Sequence, residues 1–331
     1  MRRRNFLRAL AGGSILSWLG LKPNDTHAAT LTFEHGIASG DPLSDRVILW
    51  TRVSGYVEES VDVRWRIAGD PDMRSVLNRG EVRTGPEQDY TVKVDATRLP
   101  ENSTLYYQFE IDGTTSPTGR TKTLPTGTLD TARFAVVSCA NYPYGYFHVY
   151  REIAKCDDID AVIHLGDYIY EYGMGEYATE RAEELQRVPE PRHEAYTLAD
   201  LRKRHAQYKT DADSQAMHAA HPLIAIWDDH ELGNDAWRNG SNNHQPEEGQ
   251  WPERRDAAIR AYLEWMPIRA RHERGQTRLF RDFRYGDLLT LIMLDTRLYG
   301  RDVQADANPE ATRGDIESAM GDPERRLLGR H

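Results

Sequence analysis

The stretch Val162-Ile163-His164-Leu165-Gly166-Asp167-Tyr168-Ile169-Tyr170 indicates how the larger part of this chain folds. Residues 162–165 form a short apolar run, which is typical of a strand buried in a sheet. Gly166 allows the chain to turn sharply, and Asp167 and Tyr170 then project from the loop. An acid and a phenol at the end of a buried strand suit a metal site at the carboxyl edge of a parallel sheet. The stretch therefore predicts a hydrolytic metal site.

Apolar runs on both sides of this stretch predict an α/β sheet. The predicted buried strands are 134–138, 161–165, 223–227 and 288–294. A helix over about 147–155 separates the first two strands, and such a β-α-β unit requires parallel strands covered on both faces. The sequence therefore predicts an α/β domain over residues 131–331.

Helices are predicted between and after these strands. Residues 173–220 are interpreted as a long helical insertion, within which Thr197 and Asp200 form a capping box. Pro252 begins a further helix and Pro267 ends it.

The part of the chain before this domain has a different periodicity. Apolar and polar residues alternate over 61–67, 90–94 and 105–111, and turn residues such as Asp112-Gly113 separate the runs. This pattern predicts an amino-terminal all-β sandwich of the immunoglobulin or fibronectin kind over residues 30–125. A stretch rich in Pro, Gly and Thr, 123–127, is the predicted linker.

Residues 1–29 have the composition of an export signal. Arg3-Arg4-x-Phe6-Leu7 resembles the twin-arginine signal, and an apolar run and a small-residue site follow it. The apolar run is too short to span a bilayer permanently, although an uncleaved anchor is the alternative. The chain carries a net charge of −10, which disfavours nucleic acid as a partner. We therefore expect a periplasmic or secreted protein that uses the twin-arginine translocase, with no stable membrane insertion after cleavage.

Polar clusters follow three of the predicted strands. They are Ser138-Cys139-Ala140-Asn141, Gly166-Asp167-Tyr168-Ile169-Tyr170 and Trp227-Asp228-Asp229-His230-Glu231. Because ligands bind beyond the carboxyl ends of parallel strands, the three clusters should meet at one crevice. Asp228 and Asp229 would repel each other unless a cation offset them. The alternative is that they are solvated loop acids that cap a helix.

Other residues near these clusters are further candidates. Asp167 could bridge two metals and a Tyr170 phenolate suits Fe(III); the alternative for Tyr170 is a neutral core tyrosine that makes one hydrogen bond. Arg297, in Asp295-Thr296-Arg297, could bind a phosphate through its fork of donors or form a structural salt bridge.

The two cysteines are predicted not to pair. Cys139 lies at the top of its strand, whereas Cys156 follows the next helix and belongs at the opposite end of the sheet. A helix length of about 12–15 Å would separate them, and a disulfide needs Cα atoms about 4.4–6.8 Å apart. Cys139 then becomes a candidate thiolate ligand or a core residue, and Cys156 a buried small residue.

Taken together, the motifs resemble the alkaline phosphatase D (PhoD-like) family of secreted metallophosphoesterases. The matching stretches are the twin-arginine signal, Phe33-Glu34-His35-Gly36-Ile37-Ala38-Ser39-Gly40-Asp41-Pro42, Val47-Ile48-Leu49-Trp50-Thr51-Arg52, Ser138-Cys139, Gly166-Asp167-Tyr168-Ile169-Tyr170-Glu171-Tyr172-Gly173, Trp227-Asp228-Asp229-His230-Glu231 and Leu294-Asp295-Thr296-Arg297. The combination spans nearly the whole chain.

The resemblance implies a β-sandwich followed by a four-layer αββα metallophosphoesterase domain that holds Fe(III) and Ca²⁺. Cys139 and Tyr170 would bind iron, and Asp167 would bridge iron to calcium. Asp229 would be the next metal ligand, with Asp228 left open as an alternative ligand or a catalytic residue. His230 would lie near the leaving group as an acid or hydrogen-bond donor, and Arg297 would meet charge on the phosphoryl group.

The implied activity is hydrolysis of phosphate monoesters or diesters by a metal-activated water or hydroxide. Small-molecule phosphate esters would be the substrates. The family continues to a motif of the Gly-Asp-x-His kind that supplies further metal ligands, and this chain stops at His331 without it. We therefore expect a carboxy-terminally incomplete domain, so that an inactive fragment is the alternative function. A third interpretation is a surface-binding β-sandwich protein whose α/β part is only structural.

Overall fold

The computed structural model describes residues 30–55, 59–273, 276–308 and 310–328, so the predicted signal over 1–29 lies outside the described residues. The strands are β1 Ile37–Gly40, β2 Arg46–Arg52, β3 Val61–Ala68, β4 Val76–Thr84, β5 Thr91–Thr97, β6 Thr104–Ile111, β7 Thr114–Thr115, β8 Gly119–Lys122, β9 Phe134–Val137, β10 Ala161–His164, β11 Pro222–Ala225, β12 Arg271–Glu273, β13 Gln276–Arg278, β14 Arg281–Tyr285 and β15 Leu289–Met293. The helices are α1 His148–Ala154, α2 Leu198–Lys209, α3 Ala212–Ala220, α4 Trp251–Trp265 and α5 Arg313–Gly321.

A mixed six-stranded sheet forms the centre of the described structure, in the order β5-β2-β1-β11-β10-β9. Strands β9, β10, β11 and β1 are parallel, whereas β2 and β5 continue the sheet in antiparallel pairing. The parallel β9-α1-β10 unit agrees with the sequence prediction. Because β9, β10 and β11 are parallel neighbours, their carboxyl ends lie side by side at one edge of the sheet.

The predicted sandwich over 30–125 shares one of its layers with the α/β part. Ser39 of β1 lies opposite Pro222 of β11, so the sheet crosses the predicted boundary between the two domains. A second sheet, β4-β3-β6-β7 with β8 on β6, packs against β1, β2 and β5 through an apolar core that includes Val47, Leu49 and Phe109. The periodicity located β3, β5 and β6 correctly, but it carries no information about which sheet each strand joins.

Residues 288–294 were predicted to be a strand buried on both faces, and this prediction was wrong. Strand β15 pairs antiparallel with β14 in a two-stranded sheet. The side chain of Met293 is buried, whereas Ile292 is 61% exposed. The edge strand β9 also departs from the prediction of coverage on both faces, since Val136 is 59% exposed. A continuous apolar run therefore does not ensure burial of both strand faces.

The helices largely follow their sequence signals. Thr197 and Asp200 form the predicted capping box at the start of α2, and α4 has Pro252 in its first turn and ends before Pro267. The predicted helical insertion is shorter than expected, because helices occupy only 198–209 and 212–220 while 173–196 form turns, bends and irregular loops. Among the described residues, no helix combines the length and apolar character that crossing a bilayer requires.

Both cysteines are free, which confirms the prediction that they do not pair. Cys156 is exposed, however, and not the buried small residue that was predicted. It follows the last turn of α1, where its backbone N–H is bonded to the Ile153 carbonyl and the side chain faces outward.

Candidate metal centre

Three loops meet at the carboxyl ends of β9, β10 and β11. The Cys139 N–H donates to the Gly166 carbonyl at 3.2 Å, and the Ala140 N–H donates to the Asp167 carbonyl at 2.8 Å. These two bonds connect the loop after β9 to the loop after β10. The predicted convergence of the strand-end clusters is therefore present in the structure.

Asp167 lies at the centre of this convergence. Its Oδ2 accepts a hydrogen bond from the Tyr170 hydroxyl at 3.1 Å and is 3.3 Å from the Cys139 Sγ. Ligand atoms of Asp167, Asp229 and His230 all lie within 4.8 Å of one another. Thiol, phenol, carboxylate and imidazole groups from separate loops thus surround one small volume.

The protonation states of the Cys139 thiol and the Tyr170 phenol bear on whether this site could bind a cation. Burial, followed by the charge of Asp167, raises the pKa of the Cys139 thiol and of the Tyr170 phenol. Without a cation both groups therefore keep their protons and direct them toward Asp167. A metal binding here would displace these protons, as it does wherever thiols become ligands. The oxygen donors suit hard cations and the thiol a softer transition metal, so the donor set fits the metals that the resemblance implies.

The backbone at two of these candidate ligands has an uncommon conformation. Cys139 has φ +58° and Asp167 has φ +53°, in the left-handed region that residues with a Cβ rarely adopt. Such conformations persist where the surrounding structure enforces them, and they concentrate at functional sites. Here the two interloop hydrogen bonds of Cys139 and Ala140 provide that support.

Gly166 permits the close approach of the loops after β10 and β11. Its φ is +104°, and a Cβ there would lie 2.3 Å from the Asp228 amide nitrogen. Any side chain would push the Asp167 turn away from the Asp228 loop. The glycine is thus required by both its backbone conformation and its surroundings.

We expect Gly166→Ala to lower stability and to weaken metal binding, because it strains the turn and separates the two loops. Gly113 is a matched control, since it also has positive φ (+81°) but has no atom within 4 Å of the corresponding Cβ position. The backbone strain alone costs about 1–3 kcal/mol in each variant. Urea unfolding and metal titration would measure both effects, and equal metal affinity in the two variants would contradict the steric argument.

His230 is held in place by Glu171, a residue that the sequence prediction missed. The His230 Nδ1 is 2.8 Å from Glu171 Oε2, and the His230 ring stacks on Tyr170 with centroids 4.3 Å apart. Burial by itself lowers the pKa of His230, but the hydrogen bond and charge of Glu171, with the charges of Asp229 and Asp167, raise it to about 9. Glu171 also accepts from the Asn234 N–H and the Asn243 side chain, each at 2.7 Å.

Glu231 is the second residue that was missed. Its buried carboxylate accepts backbone N–H groups from both acid-bearing loops. Both glutamates were present in the quoted motifs, directly after Tyr170 and directly after His230. Their position next to candidate ligands was the available signal, but the sequence did not indicate which way their side chains point.

The structure distinguishes the two adjacent aspartates. Asp229 belongs to the cluster with Asp167 and His230, whereas Asp228 is paired with Arg297 through contacts of 2.5 and 3.1 Å. Arg297 also reaches Asp229 Oδ1 at 2.9 Å. The salt-bridge interpretation of Arg297 is thus the arrangement present here, and it places the guanidinium directly beside the cluster.

The described structure is an α/β protein with a candidate metal centre at the carboxyl edge of its parallel strands. A family model described as "PhoD-like phosphatase" matches residues 134–331, and one described as "PhoD-like phosphatase, N-terminal domain" matches residues 20–125. The chain therefore belongs to the PhoD-like phosphatase family, as the sequence motifs predicted.

Two relatives show how far the similarity extends. The chain is 40% identical over 313 residues to alkaline phosphatase D from Bacillus subtilis (strain 168). This alignment covers 90% of this chain and 52% of that protein. A solved structure of PhoD superposes with a TM-score of 0.81 at 38% identity, covering 93% of this chain and 59% of that one. The chain thus spans about half the length of the curated relative that it matches.

Proposed function

We propose that this protein hydrolyses phosphate esters, monoesters or diesters, at the centre formed by the loops after β9, β10 and β11. The observation that carries the proposal is the gathering of Cys139, Tyr170, Asp229 and His230 around Asp167. Membership of a phosphatase family and the identity to alkaline phosphatase D support this reaction class.

The proposed metals are Fe(III) and Ca²⁺. Cys139, Tyr170 and Asp167 would hold the iron, and Asp167 and Asp229 would hold calcium. When bound, these cations would polarise the phosphoryl oxygens and lower the pKa of a water molecule. Within a four-layer αββα arrangement, which we also propose, β14 and β15 would belong to the second sheet.

Protein side chains would complete the reaction. Since Glu171 occupies the Nδ1 of His230, the Nε2 is the atom left to donate a proton to the leaving oxygen. Arg297 would stabilise negative charge on the phosphoryl oxygens through its guanidinium, which Asp228 orients by a two-point contact. Tyr170 would keep the His230 ring in place by stacking against it.

Export is part of the proposal. The twin-arginine pattern at Arg3-Arg4-x-Phe6-Leu7 supports a periplasmic or secreted location reached through the twin-arginine translocase. A translocation assay with Arg3 and Arg4 replaced by lysine would test this, and unchanged export would contradict it.

Turnover of two substrates would test the proposed activity. We expect the chain loaded with Fe(III) and Ca²⁺ to hydrolyse p-nitrophenyl phosphate or bis(p-nitrophenyl) phosphate at alkaline pH, and to lose this activity on chelation of the metals. Release of p-nitrophenol is the measurement, and the ratio of the two rates gives the ester preference. No turnover by a chain shown to hold both metals would contradict the proposal.

Cys139→Ala is expected to lower the iron content while calcium binding is largely kept, because it removes the thiolate ligand but not Asp167 or Asp229. Cys156→Ala is the matched control, since Cys156 is also free and lies outside the centre. Elemental analysis of both variants after loading measures the effect. Normal iron occupancy in Cys139→Ala would show that the thiol is not a ligand.

A further inference from the structure

The side chain of Glu231 connects two of the three loops of the candidate metal centre. The residue is 1% exposed. Its Oε1 accepts the Tyr168 N–H at 2.7 Å, and its Oε2 accepts the Asp228 N–H at 2.9 Å and the Asp167 N–H at 3.2 Å. One carboxylate therefore bonds to the turn after β10 and to the turn after β11.

These three N–H groups have no strand or helix partner in the described structure. They lie in turns, where backbone pairing ends, and Asp167 has positive φ. A buried donor left without an acceptor costs about 1–3 kcal/mol. These three donors therefore depend on Glu231 as their acceptor, and the shared carboxylate ties the turn after β10 to the turn after β11.

We propose that Glu231 is a positioning residue that sets the distance between Asp167 and Asp229, and so determines whether the two carboxylates can share a metal site. Glu231 is not in the cluster of candidate ligands among the described residues, which consists of Asp167, Asp229 and His230, so we assign it a role through the loops that carry them. The metal-binding part of this proposal rests on the metals of the proposed function. The part that concerns the distance between the two loops does not depend on any metal.

Glu231→Gln is the variant that tests the proposal. Glutamine has the same shape, but its NH₂ group replaces one acceptor oxygen and would face backbone donors. Glu264→Gln is the matched control, since Glu264 is also a largely buried glutamate and accepts from Arg202 and Arg260 on α2 and α4, away from these loops. Both variants lose a buried acceptor oxygen. Only Glu231→Gln loses contacts to the loops that carry Asp167 and Asp229.

Two measurements on the 331-residue chain separate the possible outcomes. Amide hydrogen exchange reports the protection of the N–H groups of Asp167, Tyr168 and Asp228 without any metal. Titration with Fe(III), supplied as its nitrilotriacetate complex, reports affinity. We expect Glu231→Gln to lose protection at these amides and to bind iron about 10–100-fold more weakly, the usual effect of removing an outer partner of a metal ligand. Glu264→Gln should match the unsubstituted chain in both.

Unchanged protection of the three amides in Glu231→Gln would overturn the proposal, whatever happens to iron binding. Lost protection with unchanged iron affinity would overturn its metal-binding part. If the unsubstituted chain binds no iron, the proposed metal centre is wrong, while the exchange data still decide whether Glu231 holds the loops. If Glu231→Gln does not fold, Glu231→Asp keeps the charge but cannot reach all three donors, and it should show the same two losses to a smaller degree.

Discussion

Replacing Asp167 by asparagine is expected to abolish metal binding and, with it, phosphate ester hydrolysis. Asp167 Oδ2 is the atom that the Cys139 thiol and the Tyr170 hydroxyl both approach. We expect metal affinity to fall by at least about a hundredfold, because even the loss of an outer partner costs about 10–100-fold. Hydrolysis should fall by about 10³-fold, since a metal contributes several kcal/mol to the transition state.

The same substitution is expected to leave the metal-free chain at least as stable as before. Asp167 lies close enough to Glu231 for its charge to raise the pKa of that carboxyl, after the larger effect of burial. Removing this charge relieves the repulsion between Asp167 and the Glu231 carboxyl. Urea unfolding in the presence of a chelator should therefore show an equal or higher midpoint for Asp167→Asn.

Asp112→Asn is a suitable control for this comparison. Asp112 also has positive φ, at +45°, but it lies exposed in the turn between β6 and β7. Asparagine tolerates this conformation as well as aspartate does, so neither variant adds backbone strain. Metal titration of the two variants then isolates the role of the carboxylate, and retained metal binding in Asp167→Asn would rule out Asp167 as the bridging ligand.

Of the substitutions proposed for this protein, Asp41→Ala is expected to lower the free energy of unfolding the most. Asp41 is 1% exposed. Its carboxylate accepts hydrogen bonds from the Arg281 Nη2 at 3.2 Å and from the Arg269 backbone N–H at 2.6 Å. The Arg281 Nε lies 2.8 Å from Asp41 Oδ2, and this ion pair ties the end of β1 to β14. Burial raises the pKa of Asp41 in spite of the Arg281 charge, so each partner needs the other. Removing one partner of a buried pair costs about 3–5 kcal/mol.

Asp45→Ala provides the contrast, because its pair with Arg46 is at the surface and the Asp45 side chain is 52% exposed. Exposed ion pairs contribute about 0–1 kcal/mol. The free energy of unfolding in urea measures both variants. A similar, small loss in the two would mean that the Asp41–Arg281 pair is not needed to hold β14 against the sheet.

The sequence identified the elements more reliably than their assembly. Alternation of apolar and polar residues located β3, β5 and β6, and the Thr197–Asp200 capping box located the start of α2. These signals are local, since each depends on residues a few positions apart. The apolar run over 288–294 was misinterpreted because a run cannot show whether a second layer covers its outer face.

The candidate site shows the same division. The residue types at the ends of β9, β10 and β11 could be identified from the sequence, because the polar residues directly follow apolar runs that mark the strands. The sequence left Asp228 and Asp229 as alternatives. Only the tertiary structure separates them, because it places Asp229 in the cluster with Asp167 and His230 and gives Asp228 the two-point contact with Arg297. Glu171 and Glu231 were not chosen because adjacency to a candidate ligand does not give the direction of a side chain.

By itself, the sequence determined the family, the order of most elements and the polar groups that follow the strands, because these depend on local patterns and short motifs. Only the tertiary structure decided that β1 pairs with β11, so that one sheet includes strands on both sides of the predicted domain boundary. It also decided that Glu231 joins the Asp167 and Asp228 turns. Both are contacts between residues distant in the chain, and their formation depends on the packing of the whole sheet, not on the residues next to them.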